Sequence, residues 1–339
     1  MNLKIAVLHC LRLTGVFALC RRLTRSKLRI LCYHGFAIGD QHEYNPMLYM
    51  KPRTFEERLK TLQRLGYPVV SLQRGLELLS RNEVANGETV ITIDDGWRTT
   101  HSLAAPILKS FRFPATVYVT SYYSEHGTDV FTVAMNYLMW RARPGSVVIA
   151  DFDPRIDGTY QSADAIISRA EEHLDAANRQ RLLAYLVAKL GLPHETTLGQ
   201  DRFRLMSPAE ITQLAAAGFD IQLHTHRHRL SMDNRDEVAR EIKDNRQRLQ
   251  SWVGAEARHF CYPSGKHVQR HGEWLRELAV DSATTCEPGL NDRSTDPYRL
   301  RRFLDSEAFS AIEFEAELSG LGSVLRRLKS RDRHAAATY

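Results

Sequence analysis

Val90-Ile91-Thr92-Ile93-Asp94-Asp95-Gly96-Trp97 is the stretch on which the reading of this chain turns. Its apolar and β-branched run predicts a buried strand, and that strand delivers two adjacent carboxylates to its C-terminal end. A second stretch repeats the design. Phe219-Asp220-Ile221-Gln222-Leu223 alternates as a half-buried strand does, then runs into His224-Thr225-His226-Arg227-His228. A third strand, over residues 259–262, ends at Tyr262-Pro263-Ser264-Gly265. Polar side chains gathered where strands give way to loops are the usual place for chemistry on an α/β scaffold.

Outward from these pieces the chain keeps a strand–helix rhythm. Residues 28–33 read as a first strand that brings His34 to its end. A helix over 54–65 follows, with Thr54 as its cap and Gly66 as its stop. A short strand at Val69-Val70, a helix over 72–79, the strand before Asp94, a helix over 103–111 and a strand over 115–120 come next. From residue 121 to about 206 the rhythm breaks, with helical patterns near 163–176 and 179–190; this is an insertion, a lid or substrate-binding cap. It resumes with a helix capped by Ser207 and closed by Gly218, the strand before His224, and a long charged helix over 235–253. After the strand at 259–262 come a helix over 268–278, strands over 281–285 and 298–303, and a last helix through the basic tail. Such units imply an α/β sheet or barrel, closed or nearly so. The expected organisation is a basic apolar segment at 1–27, a catalytic domain at 28–305 and a C-terminal helix with basic tail at 306–339.

Composition narrows the function classes. At 339 residues and 43% hydrophobic the chain can bury a large core. Its five cysteines are odd in number, widely spaced and without CxxC pairs, which argues for a reducing compartment. The net charge of +6 is unevenly placed: residues 1–29 hold seven Lys or Arg and no acid, and the last residues are basic too, so the body between is net negative. A nucleic-acid partner would want basic groups around the site. Basic ends beside an apolar N-terminus suit an anionic membrane surface or, equally, a solvated helix end. The apolar run from Ile5 to Cys20 is short for a span, which needs about 20 residues. Arg12 interrupts it and no small-residue cleavage site follows. An interfacial or core-packed helix and a cytoplasmic, membrane-associated location are expected.

The residue types allow one coherent chemistry. His224 and His228, four apart after a strand, can converge on one ion, and Asp95 completes a set of two imidazoles and one carboxylate. Such a set leaves positions for water and substrate. Zinc is the default, and cobalt, nickel, manganese or iron also suit these ligands. The neighbouring carboxylate is then free to accept a proton. Alone, Asp94-Asp95-Gly96 reads first as an Asx-capped turn; beside the histidines it reads as a site.

Thr92-Ile93-Asp94-Asp95-Gly96 resembles the T-F-D-D-G motif of the polysaccharide deacetylases, the NodB-type carbohydrate esterases, and His224-Thr225-x-x-His228 matches their H-[ST]-x-x-H motif. The resemblance covers residues 28–303, apart from the insertion. It implies a distorted (β/α) barrel, with Asp94 as general base and Asp95, His224 and His228 as metal ligands. Two family features are missing. The third motif often reads R-x-P-Y, whereas Cys261-Tyr262-Pro263-Ser264 stands here, within an F-x-Y-P-x-G form from Phe260 to Gly265. Ser264 and Tyr262 are the candidates for oxyanion and substrate contact, and Arg302 is the candidate for the missing cation, with pairing to a structural acid as its alternative. The late L-x-H motif is absent as well. Family members with an early Tyr-His are similar to Tyr33-His34, which makes His34 the candidate general acid. Trp97 reads either as a platform for a sugar face or as a core residue.

The leading expectation is a metal-dependent hydrolase that removes an N-acetyl group from an amino sugar, on a polysaccharide or a lipid-linked glycan, in surface polysaccharide assembly. A catalytically inactive carbohydrate- or lipid-binding protein on the same scaffold is the alternative, favoured by the absent third-motif arginine. An iron oxygenase ranks last, because the spare Asp94 has no task in it.

Overall fold

The computed structural model describes residues 3–199 and 201–326. Seven strands form one parallel sheet: β1 (Arg29–Tyr33), β2 (Thr89–Ile93), β3 (Thr116–Val119), β4 (Asp220–Leu223), β5 (His259–Cys261), β6 (Ser282–Thr284) and β7 (Phe303–Leu304). Their order is β6-β5-β4-β3-β2-β1-β7. The sheet curls into a half-barrel with helices around it. Ile91, Ile93, Val117, Leu223 and Phe260 are fully buried between sheet and helices. Each such side chain contributes about 1.5–3 kcal/mol by leaving water.

One segment spans the two edges of the sheet. Leu300 bridges Thr284 of β6 in parallel, and three residues later Phe303 pairs with Leu31 of β1. The strand expected over 298–303 is thus split between two neighbours. That split carries Arg302 into the interior, where it is fully buried.

Most expected elements lie where the residues put them, and the departures have local causes. The helix expected from Thr54 begins earlier, as Pro52–Leu65, because Pro52 fits the first helical turn. Thr54 is no cap: its hydroxyl donates to Glu307 instead. The helix expected over 103–111 starts as a π-helical turn, Thr100–Ala104, next to Pro106, which has no N–H to donate. Val69 makes an isolated bridge to Thr89 rather than a strand. The long charged helix is Arg235–Val253, with Asn234 accepting from the N–H groups of Asp236 and Glu237. The insertion holds, besides the two expected helices, three more over Ser121–His126, Phe131–Ala142 and His194–Thr197 and a small hairpin of Val147–Ile149 with Gly158–Tyr160. It has its own apolar cluster, including Phe131, Leu138, Leu183 and Phe203. Its end returns to the aspartate turn, where Trp97 bridges Leu205.

The N-terminal run folds as two helices, α1 (Leu3–Leu13) and α2 (Val16–Leu23), bent by 73° at Gly15. Neither helix is long and apolar enough to cross a membrane alone, although the bent pair passes that test of length and composition. One side packs on the helix Ala311–Ser319 through Phe17, Cys20, Ile312 and Ala316. The last helix stands there, and most of the basic tail lies outside the described residues.

Candidate active site

The C-terminal ends of β1, β2, β4 and β5 meet around Asp94 and Asp95. The turn after β2 separates the two carboxylates. Asp94 still belongs to the ladder, its N–H donating to Tyr33 O at 2.9 Å. Asp95 and Gly96 then adopt positive φ, 70° and 85°. Aspartate tolerates that region because its short side chain bonds locally, and glycine because it has no Cβ. At Gly96 a Cβ would also lie 3.2 Å from Val119 Cγ1. The reversal sends Asp94 into the barrel and Asp95 to its rim.

Asp95 Oδ1 lies 3.1 Å from His224 Nε2 and 3.4 Å from His228 Nε2. Those three ligand atoms all lie within 4.8 Å of one another. His224 Nδ1–H donates to Cys261 O at 2.8 Å, which leaves Nε2 as the lone-pair nitrogen facing Asp95. The His224 N–H donates to Asn245 Oδ1, and the Asn245 amide donates to Val119 O and Ser121 Oγ, so the long helix fixes where the loop leaves β4. Glu241 of the same helix accepts from the N–H and guanidinium of Arg227. Thr225 and His228 both have positive φ, 61° and 56°, and this folds His228 back over His224. His226 points away to Ser121 Oγ, 2.9 Å from Nδ1.

These atoms fit a divalent cation. Two imidazole nitrogens and one carboxylate oxygen form a borderline donor set that suits zinc and its first-row neighbours. The outer groups are already oriented, since Cys261 O holds His224 and Trp97 Nε1 donates to Asp95 Oδ2 at 2.9 Å. Burial pushes the Asp95 carboxyl up, but with the rings protonated and no cation bound, the hydrogen bonds of His224 and His228 and the charge of His228 and His34 outweigh it and hold the group well below the usual carboxylate range.

Asp94 is gripped from below. Arg302 Nη1 and Nη2 donate to its two oxygens at 2.7 Å each, while Cys32 Sγ and Cys261 Sγ stand 3.4 and 3.3 Å from Oδ2. The remaining Arg302 donors go to Thr285 O, Thr92 Oγ1 and Cys261 Sγ, so all five N–H groups find acceptors. Burial would raise the Asp94 carboxyl, yet the charge and paired hydrogen bonds of Arg302 override it, and the group stays ionised far below its ordinary range. His34 Nε2 lies 3.9 Å from Asp94 Oδ2, with its side chain 20% exposed.

This geometry decides one open choice and corrects one expected substrate contact. The Trp97 ring is buried against Tyr49 and holds Asp95, so of its two readings, sugar platform or core residue, the structure shows the core one. Tyr262 is buried too: its ring stacks on His267 and its hydroxyl donates to Tyr298 O, since the strand's alternation turns it into the core. Ser264 is exposed at the turn after Pro263, with φ 54°. Asp95, Trp97 and His228 line a cleft of about 410 Å³ whose far wall is the insertion, through Tyr123, Val130 and Thr132. Asn245 and Glu241 carry no local signal, because nothing distinguishes a long helix's inward polar residues from solvated ones, and Cys261 in β5 holds His224 through a backbone carbonyl that any residue would supply.

Residues 81–283, more than half of the chain, match the sequence model of the family described as polysaccharide deacetylase. The Bacillus subtilis protein YxkH, by name a polysaccharide deacetylase, is 28% identical over 95 residues. That match spans 28% of this chain and 32% of YxkH. Among solved structures, the Streptococcus pyogenes deacetylase PplD in complex with acetate superimposes with a TM-score of 0.58 at 18% identity, covering 84% of this chain and 94% of its own. IcaB from Ammonifex degensii gives 0.57 at 17% identity, covering 86% and 97%. The barrel is therefore shared with these proteins.

Proposed function

Because the chain belongs to the polysaccharide deacetylase family, we propose that it hydrolyses the N-acetyl group of an amino sugar, on a polysaccharide or lipid-linked glycan, during surface polysaccharide assembly. The observation that carries this reading is the division of labour between adjacent aspartates: Asp95 joins His224 and His228, while Asp94 faces Arg302 and His34. Asp95, His224 and His228 would hold a divalent cation, zinc by default, which when bound acidifies water toward pKa ~7 and polarises the acyl carbonyl.

The chain's own groups account for the proton movements. Asp94, kept ionised by Arg302, accepts a proton as water oxygen bonds to the acetyl carbon. His34, in its protonated form, donates to the sugar nitrogen as the carbon–nitrogen bond breaks. The products are acetate and a free amine. The backbone N–H at Ser264 is the proposed donor to the oxyanion. Arg302 acts through Asp94 and touches no substrate. With a guanidinium already beside Asp94, the missing third-motif arginine no longer favours an inactive binding protein. Five free cysteines, one of them exposed, accord with a reducing, cytoplasmic compartment, and a lipid-linked sugar would go with a peripheral position on the membrane.

Acetate release from N-acetylated oligosaccharides and lipid-linked N-acetyl sugars, with added zinc, tests the reading. Asp94→Asn should retain the metal and lose turnover by at least ~10²-fold. Full deacetylation by that variant would overturn the assignment.

A further inference from the structure

The α1–α2 corner presents two features that the active site does not use. The first is apolar. Leu13 is 82% exposed, Leu3 79%, Leu23 64%, Leu19 56% and Val7 47%, and none of the residues of α1 is buried. Soluble surfaces carry single exposed leucines freely, but not several gathered on one short helical corner. The second is electrostatic. A cavity of about 590 Å³ beside α2 is lined by Arg12, Arg21, Arg22 and Arg25, with Glu315 as its acid. Glu315 is already engaged by Arg12 at 3.5 Å and Arg64 at 3.3 Å. Arg21 is held at the wall by its place 4.5 Å over the Tyr67 ring. Arg22 and Arg25 remain exposed at the mouth.

Helix geometry joins the two features. Ala18 and Arg22 are one turn apart and line the cavity; Leu19 and Leu23 are each one residue further on, about 100° around α2. Apolar side chains and guanidinium groups thus stand side by side at one edge. We propose that this corner docks on an anionic phospholipid bilayer, with Leu19, Leu23 and Leu13 entering the acyl boundary and the arginine-lined cavity taking a lipid phosphate. A free anion would use the arginines and leave the leucines in water, whereas a protein partner gives no reason for four arginines around one cavity. Guanidinium groups match phosphate oxygens in pairs, and a polybasic rim beside an apolar wedge is what an anionic membrane surface rewards. The inference goes beyond the deacetylase reading and does not depend on it.

Sedimentation of the full chain with vesicles tests it, with no sugar present. Vesicles of phosphatidylcholine mixed with phosphatidylglycerol should carry the protein down, and phosphatidylcholine alone should carry at least tenfold less. Arg22→Gln with Arg25→Gln should weaken binding about 30-fold. Leu19→Ser with Leu23→Ser should weaken it about 100-fold, with the urea midpoint of both variants unchanged. Equal partition of the leucine variant and the unaltered protein would overturn the proposal. So would absence of vesicle binding together with self-association that the leucine variant abolishes, since that assigns the corner to a second copy.

Discussion

Replacing Arg302 by methionine is the most searching perturbation of this site. The guanidinium is fully buried and donates five hydrogen bonds, two of them to the Asp94 oxygens at 2.7 Å. Methionine fills comparable space but leaves a buried carboxylate without the guanidinium that pairs it, and breaking such a pair from one side costs about 3–5 kcal/mol. With a urea m-value of about 3 kcal/mol/M, the unfolding midpoint at pH 7 should fall by about 1–1.7 M. The pH dependence carries the sign. In the intact protein Asp94 is held below its unfolded pKa, so it contributes stability above that value, ~3.9, and the contribution is lost as pH falls through the folded value. In the variant, burial, the largest influence on this carboxyl, is opposed only by the weaker pull of His34 and His224 and raises it, so stability instead declines as pH rises through the new value. The gap between the two proteins should therefore be widest near pH 7 and narrow toward pH 4. Asp94→Asn added to Arg302→Met removes both charges and should recover much of the midpoint. Turnover tests the same logic: protonation of Asp94 should not limit the intact enzyme above about pH 4, whereas the acid limb of the variant should move up by about one unit or more. A midpoint unchanged at pH 7, or a gap that stays constant down to pH 4, would refute the argument that Arg302 exists to keep Asp94 charged.

Four further outcomes follow from the geometry. His224→Ala and His228→Ala should each lose stoichiometric metal, measured by elemental analysis of the purified proteins; full retention by both would remove the ligand assignment. Trp97→Phe keeps the buried ring but deletes the donor to Asp95 Oδ2, so zinc affinity by competition titration should fall ~10–100-fold with little change in stability. If instead only the KM for glycan rises, the ring is a sugar platform after all. Asn245→Ala leaves the His224 N–H and the Val119 carbonyl without partners, which should cost ~2–5 kcal/mol in urea unfolding. Gly96→Ala meets both a φ of 85° and Val119 Cγ1, so a loss of ~1–3 kcal/mol and a drop in acetate release are expected, and unaltered stability would show the turn to be slack.

Much of this was legible in the sequence because strands announce themselves by burial and sites by the residues at strand ends. The run before Asp94 and the alternation before His224 gave both strands and both pieces of chemistry. A period-2 or period-3.6 pattern is a local property, so the helix at 235–253 could be bounded to the residue. Position in a motif leaves Trp97 open between surface and core and misplaces Tyr262, because which way a side chain points at the end of a strand depends on what packs against it. Asn245 and Glu241 look like any other polar residues of a charged helix until that helix is laid across β3 and β4.

The amino-acid sequence by itself determined the strand–helix order, the paired aspartates, the two histidines and the basic, apolar N-terminus. These are consequences of local composition and spacing, which need no partner from elsewhere in the chain. Only the tertiary structure decided what those residues face. Asp94 and Arg302 are separated by more than two hundred positions and come together because one segment spans the gap between β6 and β1. The positive φ at Asp95 and Gly96 turns one carboxylate inward and the other outward, a split that two identical letters side by side cannot encode. Charge pairing and burial are properties of the closed barrel, and they are what set one aspartate against Arg302 and its neighbour against two histidines.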